Sequence, residues 1–339
     1  MKKKNSRQKL LVAVRVIVST ALLAYLLSTV QLDELVAVWS DIVLPFVLLA
    51  IGLQLVGVVI SALKWWLLLR ASGHHVPYRW AVRAYFIGQF FNNFLPTMIG
   101  GDAIRVYQLR QRITLTSVAI ASVFVERLTG FVALSLIASV GLGLSAEVFA
   151  DAPELFWVAF WCILVAYGGL VLAIFAAPIA RLFTRLHLPN LLNWREKLSS
   201  IAHSLAGYYS YRGTLLLALL ISFAYQLVWI GSNYAVALAL GLLDVPFSFM
   251  ALMVPISDII GLVPIFLNNL GAREGTFVFL LEQLGVLRAE ALALAFMIFI
   301  VRMVVSLVGG GLYLLGGFAG AQSTVTVEDL PGISSVNKG

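Results

Sequence analysis

Charged and amide side chains are scarce in this chain, and several of them sit among helix-breaking residues inside apolar surroundings. Residues 92–105 read Asn-Asn-Phe-Leu-Pro-Thr-Met-Ile-Gly-Gly-Asp-Ala-Ile-Arg. Asn92, Asn93, Pro96, Gly100 and Gly101 predict a turn lining a cavity, because non-helical backbone at membrane depth survives only where protein or water satisfies it. Gly100-Gly101-Asp102 then leads into a helix carrying Arg105. Backbone N–H groups at a helix start attract an anion, and a guanidinium beside them grips phosphate. A plainer reading fits the same residues: Asp102 caps the helix while Arg105 snorkels to headgroups.

Three further groups could join that chemistry. Glu126-Arg127 interrupts an otherwise uncharged run from 113 to 144. Neighbours in a helix do not face each other, so each needs a partner elsewhere, and a structural tie between helices is the alternative to a site. Asn268, Asn269, Arg273 and Glu274 surround a second glycine-bearing turn, Gly271-Ala-Arg273-Glu274-Gly275. Here Arg273 is the phosphate donor, and Glu274 either holds it or receives a cationic group. Asp258, between Pro255 and Pro264, is a site carboxylate or a partner for freed backbone N–H groups. Arg302 lies alone in the last apolar stretch.

Other chemistries are excluded. Cys162 is the single cysteine, and the four histidines form no cluster beyond His74-His75, so no cysteine-based or histidine-based metal centre is expected. No nucleotide-binding motif is present, and no cofactor is expected. Ser72-Gly73-His74 is similar to a fragment of lipid phosphatases, but Ala180 and Leu191 stand where that chemistry needs a serine and an aspartate.

The elements that must position these residues are membrane helices. The chain of 339 residues is 61% apolar and 12% charged, with mean hydropathy +0.97. Residues 42–63, 155–180 and 213–243 carry no charge, and each run is long enough to cross about 30 Å of hydrocarbon. Most of the 23 basic residues fall in four blocks: the N-terminus to Arg15, 64–83, 105–112 and 181–212. The stretches around Asp33-Glu34-Asp41 and Glu147-Asp151-Glu154 have none. The positive-inside rule places the blocks, and both termini, in the cytoplasm of a protein of the cell membrane. The net charge of +7 is thereby assigned to topology, not to nucleic acid. Crossing helices are expected at 10–30, 42–69, 113–144, 155–180, 213–243 and 291–317. The apolar segment 80–99 has basic blocks on both sides, so it is expected to be re-entrant.

The second half repeats the plan. Pro77 precedes Pro96 by 19 residues and Gly101 by 24; Pro246 precedes Pro264 by 18 and Gly271 by 25. Asn92-Asn93 is echoed by Asn268-Asn269, Arg105 by Arg273, and Phe124-x-x-Arg127 by Phe299-x-x-Arg302. The fold class expected is an all-α polytopic membrane protein. It has about six full transmembrane helices and two re-entrant hairpins (80–99 and 248–286), in an inverted repeat. The expected domain is a single one over 1–320, with halves at about 10–144 and 155–317. Residues 190–209 read as an amphipathic helix on lipid, and 321–339 as a disordered cytoplasmic tail.

Three motifs carry a resemblance: Asn93-Phe-Leu-Pro96 with Gly100-Gly101-Asp102-x-x-Arg105; Glu126-Arg127-Leu-x-Gly130; and Pro264 with Gly271-x-Arg273-Glu274-Gly275 and Leu284-Gly285-Val286. In these the chain resembles the transmembrane region of lysylphosphatidylglycerol synthases, a flippase-like family. The resemblance implies translocation of an anionic, aminoacylated or lipid-linked headgroup between leaflets, without the soluble aminoacyltransferase domain of bifunctional members. The chain departs from that family at Asn268-Asn269, where small glycine-rich residues are usual. The implied partners are a phospholipid or lipid-linked substrate and membrane lipids, with a homo-oligomer or a partner lipid enzyme as further possibilities. The alternatives are a membrane-embedded transferase with catalysis near Asp33, or a non-catalytic partner of a lipid-modifying enzyme.

Overall fold

The computed structural model describes residues 2–94, 100–113, 115–149, 153–175, 204, 206–208, 210–263, 265–266 and 269–316. Among them the order is α1 (Lys2–Ser28), α2 (Leu32–Ser40), α3 (Leu44–Ala71), α4 (Tyr78–Phe94), α5 (Gly100–Arg110), α6 (Thr116–Leu144), α7 (Pro153–Ile174), α8 (Arg212–Ala239), α9 (Phe247–Gly261), α10 (Ala272–Leu281) and α11 (Arg288–Gly316). Short 3-10 turns follow α6 and α10, and no strand occurs among the described residues.

Long apolar runs form the long helices, since only helices and closed barrels satisfy every backbone group in lipid. α3 begins with Pro45 in its first turn, where the missing N–H costs no helical bond. It stops at Gly73, whose φ of +82° lets the His74 N–H bond back to the Leu69 carbonyl at 2.9 Å. Four helices, α3, α6, α8 and α11, are long and apolar enough to span a bilayer. Leu48, Leu49, Val56 and Val59 on α3, and Leu216, Leu217 and Leu220 on α8, stay exposed, as a lipid-facing surface should.

The expected count of six full crossings is not what the described helices give. α1 and α2 make a fifth span only as a pair bent by 82°. Asp33 and Glu34, expected in a loop, stand in the first turn of α2, where their charge meets the positive end of the helix. The apolar part of α7 is Phe156–Val171, shorter than the expected 155–180. Residues 176–180, most of the amphipathic segment 190–209, and the tail 321–339 lie outside the described residues.

The segment expected as a hairpin is two helices running antiparallel. Gly101 at the start of α5 packs on Gly88, Arg105 lies over the Tyr85 ring, and Arg112 just past α5 lies over the Trp80 ring. Moving forward along α5 therefore moves backward along α4. A Cβ on Gly101 would overlap the Gly88 carbonyl oxygen, and one on Gly88 would sit 2.8 Å from Arg105 Cγ. These two glycines set how closely the arginine's helix approaches α4. Asn92 and Asn93 belong to α4, and Gly100 and Gly101 open α5. Residues 95–99, with Pro96, lie outside the described residues.

Around this hairpin α3 packs along α8, α6 against α9, and α11 against α4. The last two contacts are close ones. A Cβ on Gly309 of α11 would overlap the Phe86 carbonyl oxygen, and one on Gly141 of α6 would sit 2.7 Å from Leu252 N. The larger core contains Phe249, Met250, Met253 and Ile298, while Trp65, Trp80, Tyr85 and Leu109 lie in a second.

Candidate functional site

Three helices deliver charge to one place, and a fourth delivers a hydroxyl. Glu126, in the middle of α6, is 2% exposed. Its Oε2 accepts from Arg105 Nη2 of α5 at 2.5 Å, and its Oε1 accepts from the Tyr85 hydroxyl of α4 at 3.1 Å. Lys64 Nζ of α3 is 3.5 Å from the same Oε1 and donates to Ser222 Oγ of α8 at 3.1 Å. Arg105 is sandwiched between the Trp65 and Tyr85 rings, 4.8 and 4.4 Å from their centroids. The planar, weakly hydrated guanidinium suits such a slot. At 2% exposure Arg105 does not snorkel, so that plainer reading is withdrawn: the Glu126 carboxylate draws it inward.

Arg127 takes the other direction. Its side chain is 51% exposed and grips Asp102 through Nε at 2.9 Å and Nη2 at 2.8 Å. Asp102 also lies 3.6 Å from Arg105 Nη2. The adjacent residues Glu126 and Arg127 do find partners elsewhere, both on the first hairpin. An exposed ion pair halfway along a spanning helix requires a polar surface beside it.

The other candidates in the first half support the helices more than they line a site. Asn92 Oδ1 accepts from the Gly101 N–H at 3.1 Å and so caps α5 with its own side chain. Asn93, half-buried, stands next to it in the last turn of α4. Gly100 and Gly101 are buried at the start of α5.

In the second half the charges are arranged differently. Arg273 Nη2 reaches Glu274 Oε1 at 2.7 Å, while Glu274 Oε2 accepts from the Gly271 N–H at 2.6 Å. Glu274 thus closes the start of α10 and holds its neighbour, and both are buried. Arg273 also faces the Phe299 ring at 5.6 Å. Asn269, at φ +65°, donates to the Ser257 carbonyl at 3.2 Å and fills the space beside Gly261. Asp258 is half-buried and accepts from Trp229 Nε1 at 3.1 Å. Arg302 is half-buried near the middle of α11, and its Nε has no hydrogen-bond partner among the described residues. Asn268 and Pro264 lie outside the described residues.

The structure therefore joins Asp102, Arg105, Glu126 and Arg127 into one network and leaves Arg273–Glu274 as a separate pair. Lys64, Tyr85, Trp65 and Ser222 were missed as site residues. Lys64 was counted only as part of a basic block, whereas its side chain is buried inside the bundle at 3% exposure. The available signal was its position: it is the only charge between Asp41 and Arg70, well inside an apolar helix. Among the described residues no group of histidine, cysteine, aspartate and glutamate could hold a metal ion.

A family model described as the lysylphosphatidylglycerol synthase TM region matches residues 12–310. No curated protein matches the chain.

Proposed function

Since the chain belongs to the family of the lysylphosphatidylglycerol synthase transmembrane region, we propose that it translocates lipids, passing an anionic, aminoacylated or lipid-linked headgroup between the leaflets of the cell membrane. The observation that carries this reading is the charged network buried between α3, α4, α5 and α6. Charge inside hydrocarbon costs several kcal/mol per group on an order-of-magnitude scale, so it accompanies a polar path. A headgroup crossing the membrane loses its water, and Arg105 and Arg273, one on each hairpin, supply substitute donors for its phosphate. The exposed Asp102–Arg127 pair is the network's contact with the open side.

We read the chain as an inverted repeat with both termini cytoplasmic, and the packing supports the repeat. Exchanging α3 with α8, α4 with α9, α5 with α10 and α6 with α11 maps the neighbours described above onto one another. In this reading both hairpins are re-entrant and meet at the midplane, where such transporters bind substrate. No nucleotide motif is present, so the work comes from the lipid gradient or from a coupled ion.

The test is headgroup accessibility in proteoliposomes, with anionic and aminoacylated lipids, for wild type, Arg105→Ala and Arg273→Ala. Translocation by wild type, reduced at least tenfold in both variants while each keeps its helical content, is the expected result. Unchanged rates in both variants would refute the arginine roles. No movement of any lipid by folded wild type would favour the transferase or partner reading instead.

A further inference from the structure

The network has too much positive charge and too many donors for the anion it contains. Lys64 and Arg105, both under 4% exposed, converge on the single carboxylate of Glu126. Asp102 is already bound through both oxygens to Arg127. Lys64, Arg105 and Arg127 against Glu126 and Asp102 leave one positive charge over in the network, and a buried charge short of a partner destabilises a protein strongly. The donor count shows the same surplus. Among the described residues Arg105 Nε and Nη1 are buried with no hydrogen-bond partner, while Lys64, Tyr85 and Arg105 Nη2 take up most of the carboxylate's acceptor positions. A buried guanidinium normally has its donors satisfied. Two oxygens with one charge underfill this cage; a phosphate group, with more acceptor oxygens, would use the remaining donors.

We propose that the Glu126 carboxylate is a tethered occupant of an anion site built by Lys64, Tyr85 and Arg105, and that a phosphate group displaces it during transport. The proposal deepens the translocation reading and rests on it for the source of the phosphate. With the site closed, Glu126 balances one of the two cations and keeps them ordered. When the phosphate enters, Glu126 swings towards the open side where Asp102 and Arg127 lie, and Lys64 and Arg105 hold the ligand. Lys64 is then a binding residue, and its bond to Ser222 ties ligand occupancy to α8 in the other half of the molecule. The binding step forms and breaks no covalent bond.

An occupant that competes with the ligand predicts tighter binding when it is weakened. Glu126→Gln keeps the shape and removes the competing charge. In nanodiscs, binding of dihexanoylphosphatidylglycerol and of inorganic phosphate is measured by calorimetry for wild type, Glu126→Gln, Glu126→Asp and Glu126→Gln with Lys64→Met. The expected result is binding of the lipid analogue at least tenfold tighter in Glu126→Gln than in wild type, with the gain abolished by Lys64→Met. Glu126→Asp, whose shorter arm cannot reach all three donors, is expected between the two; it carries the test if the glutamine variant does not fold. Binding equal to or weaker than wild type in a folded variant overturns the proposal, as does a gain that survives Lys64→Met. A gain for inorganic phosphate alone keeps the anion site and overturns a lipid as its ligand. Wild-type translocation with no gain in Glu126→Gln removes this inference and leaves the function; a gain without translocation does the reverse.

Discussion

Two arginines that look alike in the sequence have opposite roles in the structure. Arg105 is held by Glu126 and two aromatic faces, and Arg127 is half open and paired with Asp102. Emptying the buried space that the Arg105 side chain fills against two rings costs about 2–5 kcal/mol even with Lys64 left to balance Glu126, whereas an exposed pair contributes about 1 kcal/mol or less. Arg105→Ala is therefore expected to lower the melting temperature of the detergent-solubilised protein clearly, with Arg105→Lys between it and wild type. Arg127→Ala should leave the melting temperature within a few degrees and still impair translocation. Equal melting shifts for Arg105→Ala and Arg127→Ala would contradict this division. Glu126 was legible because a charge in an uncharged run has few bland explanations, and Arg105 because it follows a glycine pair at a helix start. Lys64 was not, because a lysine near the cytoplasmic half of a helix is what the positive-inside rule expects. Only the neighbouring helices reveal that its ammonium turns inward.

At the scale of elements, the long apolar helices were readable to within a few residues, since hydropathy and charge placement act along one dimension. The hairpin was less so. Gly101 was read as part of a turn, yet it lies inside α5 and serves close packing against Gly88. A glycine needed for a neighbour's approach and a glycine needed for a turn are written with the same letter. The distinction has a measurable consequence. In Gly101→Ala the new methyl meets backbone, which cannot rotate away, so α5 must move off α4. Overpacking of this kind costs roughly 1–3 kcal/mol. It should also displace Arg105 from the Tyr85 ring, lowering both melting temperature and translocation. Gly143→Ala, with open space around its Cβ position, should change neither. A Gly101→Ala protein as stable as wild type would mean that α4 and α5 do not approach as closely as described.

For the whole molecule the decisive matter is whether the first hairpin turns back or passes through. α4 and α5 have 17 and 11 residues, about 25 and 17 Å at 1.5 Å per residue, so neither spans about 30 Å of hydrocarbon alone. End to end they could cross as one broken helix. The contacts Gly101–Gly88, Arg105–Tyr85 and Arg112–Trp80 place them side by side instead, which brings Gln111 back to the level of Arg79. The basic residues agree, because Arg79, Arg83, Arg110 and Arg112 then share one membrane face. With the native Cys162 replaced by serine, single cysteines at Arg79 and Gln111 should react with an impermeant maleimide from the same, cytoplasmic side of sealed vesicles. A cysteine at Asp41, ahead of α3, should react from the opposite side and shows that the vesicles are intact. Labelling of positions 79 and 111 from opposite faces would make α4 and α5 a crossing. The second half would then no longer be inverted relative to the first, and Arg105 and Arg273 would not meet the headgroup from two sides.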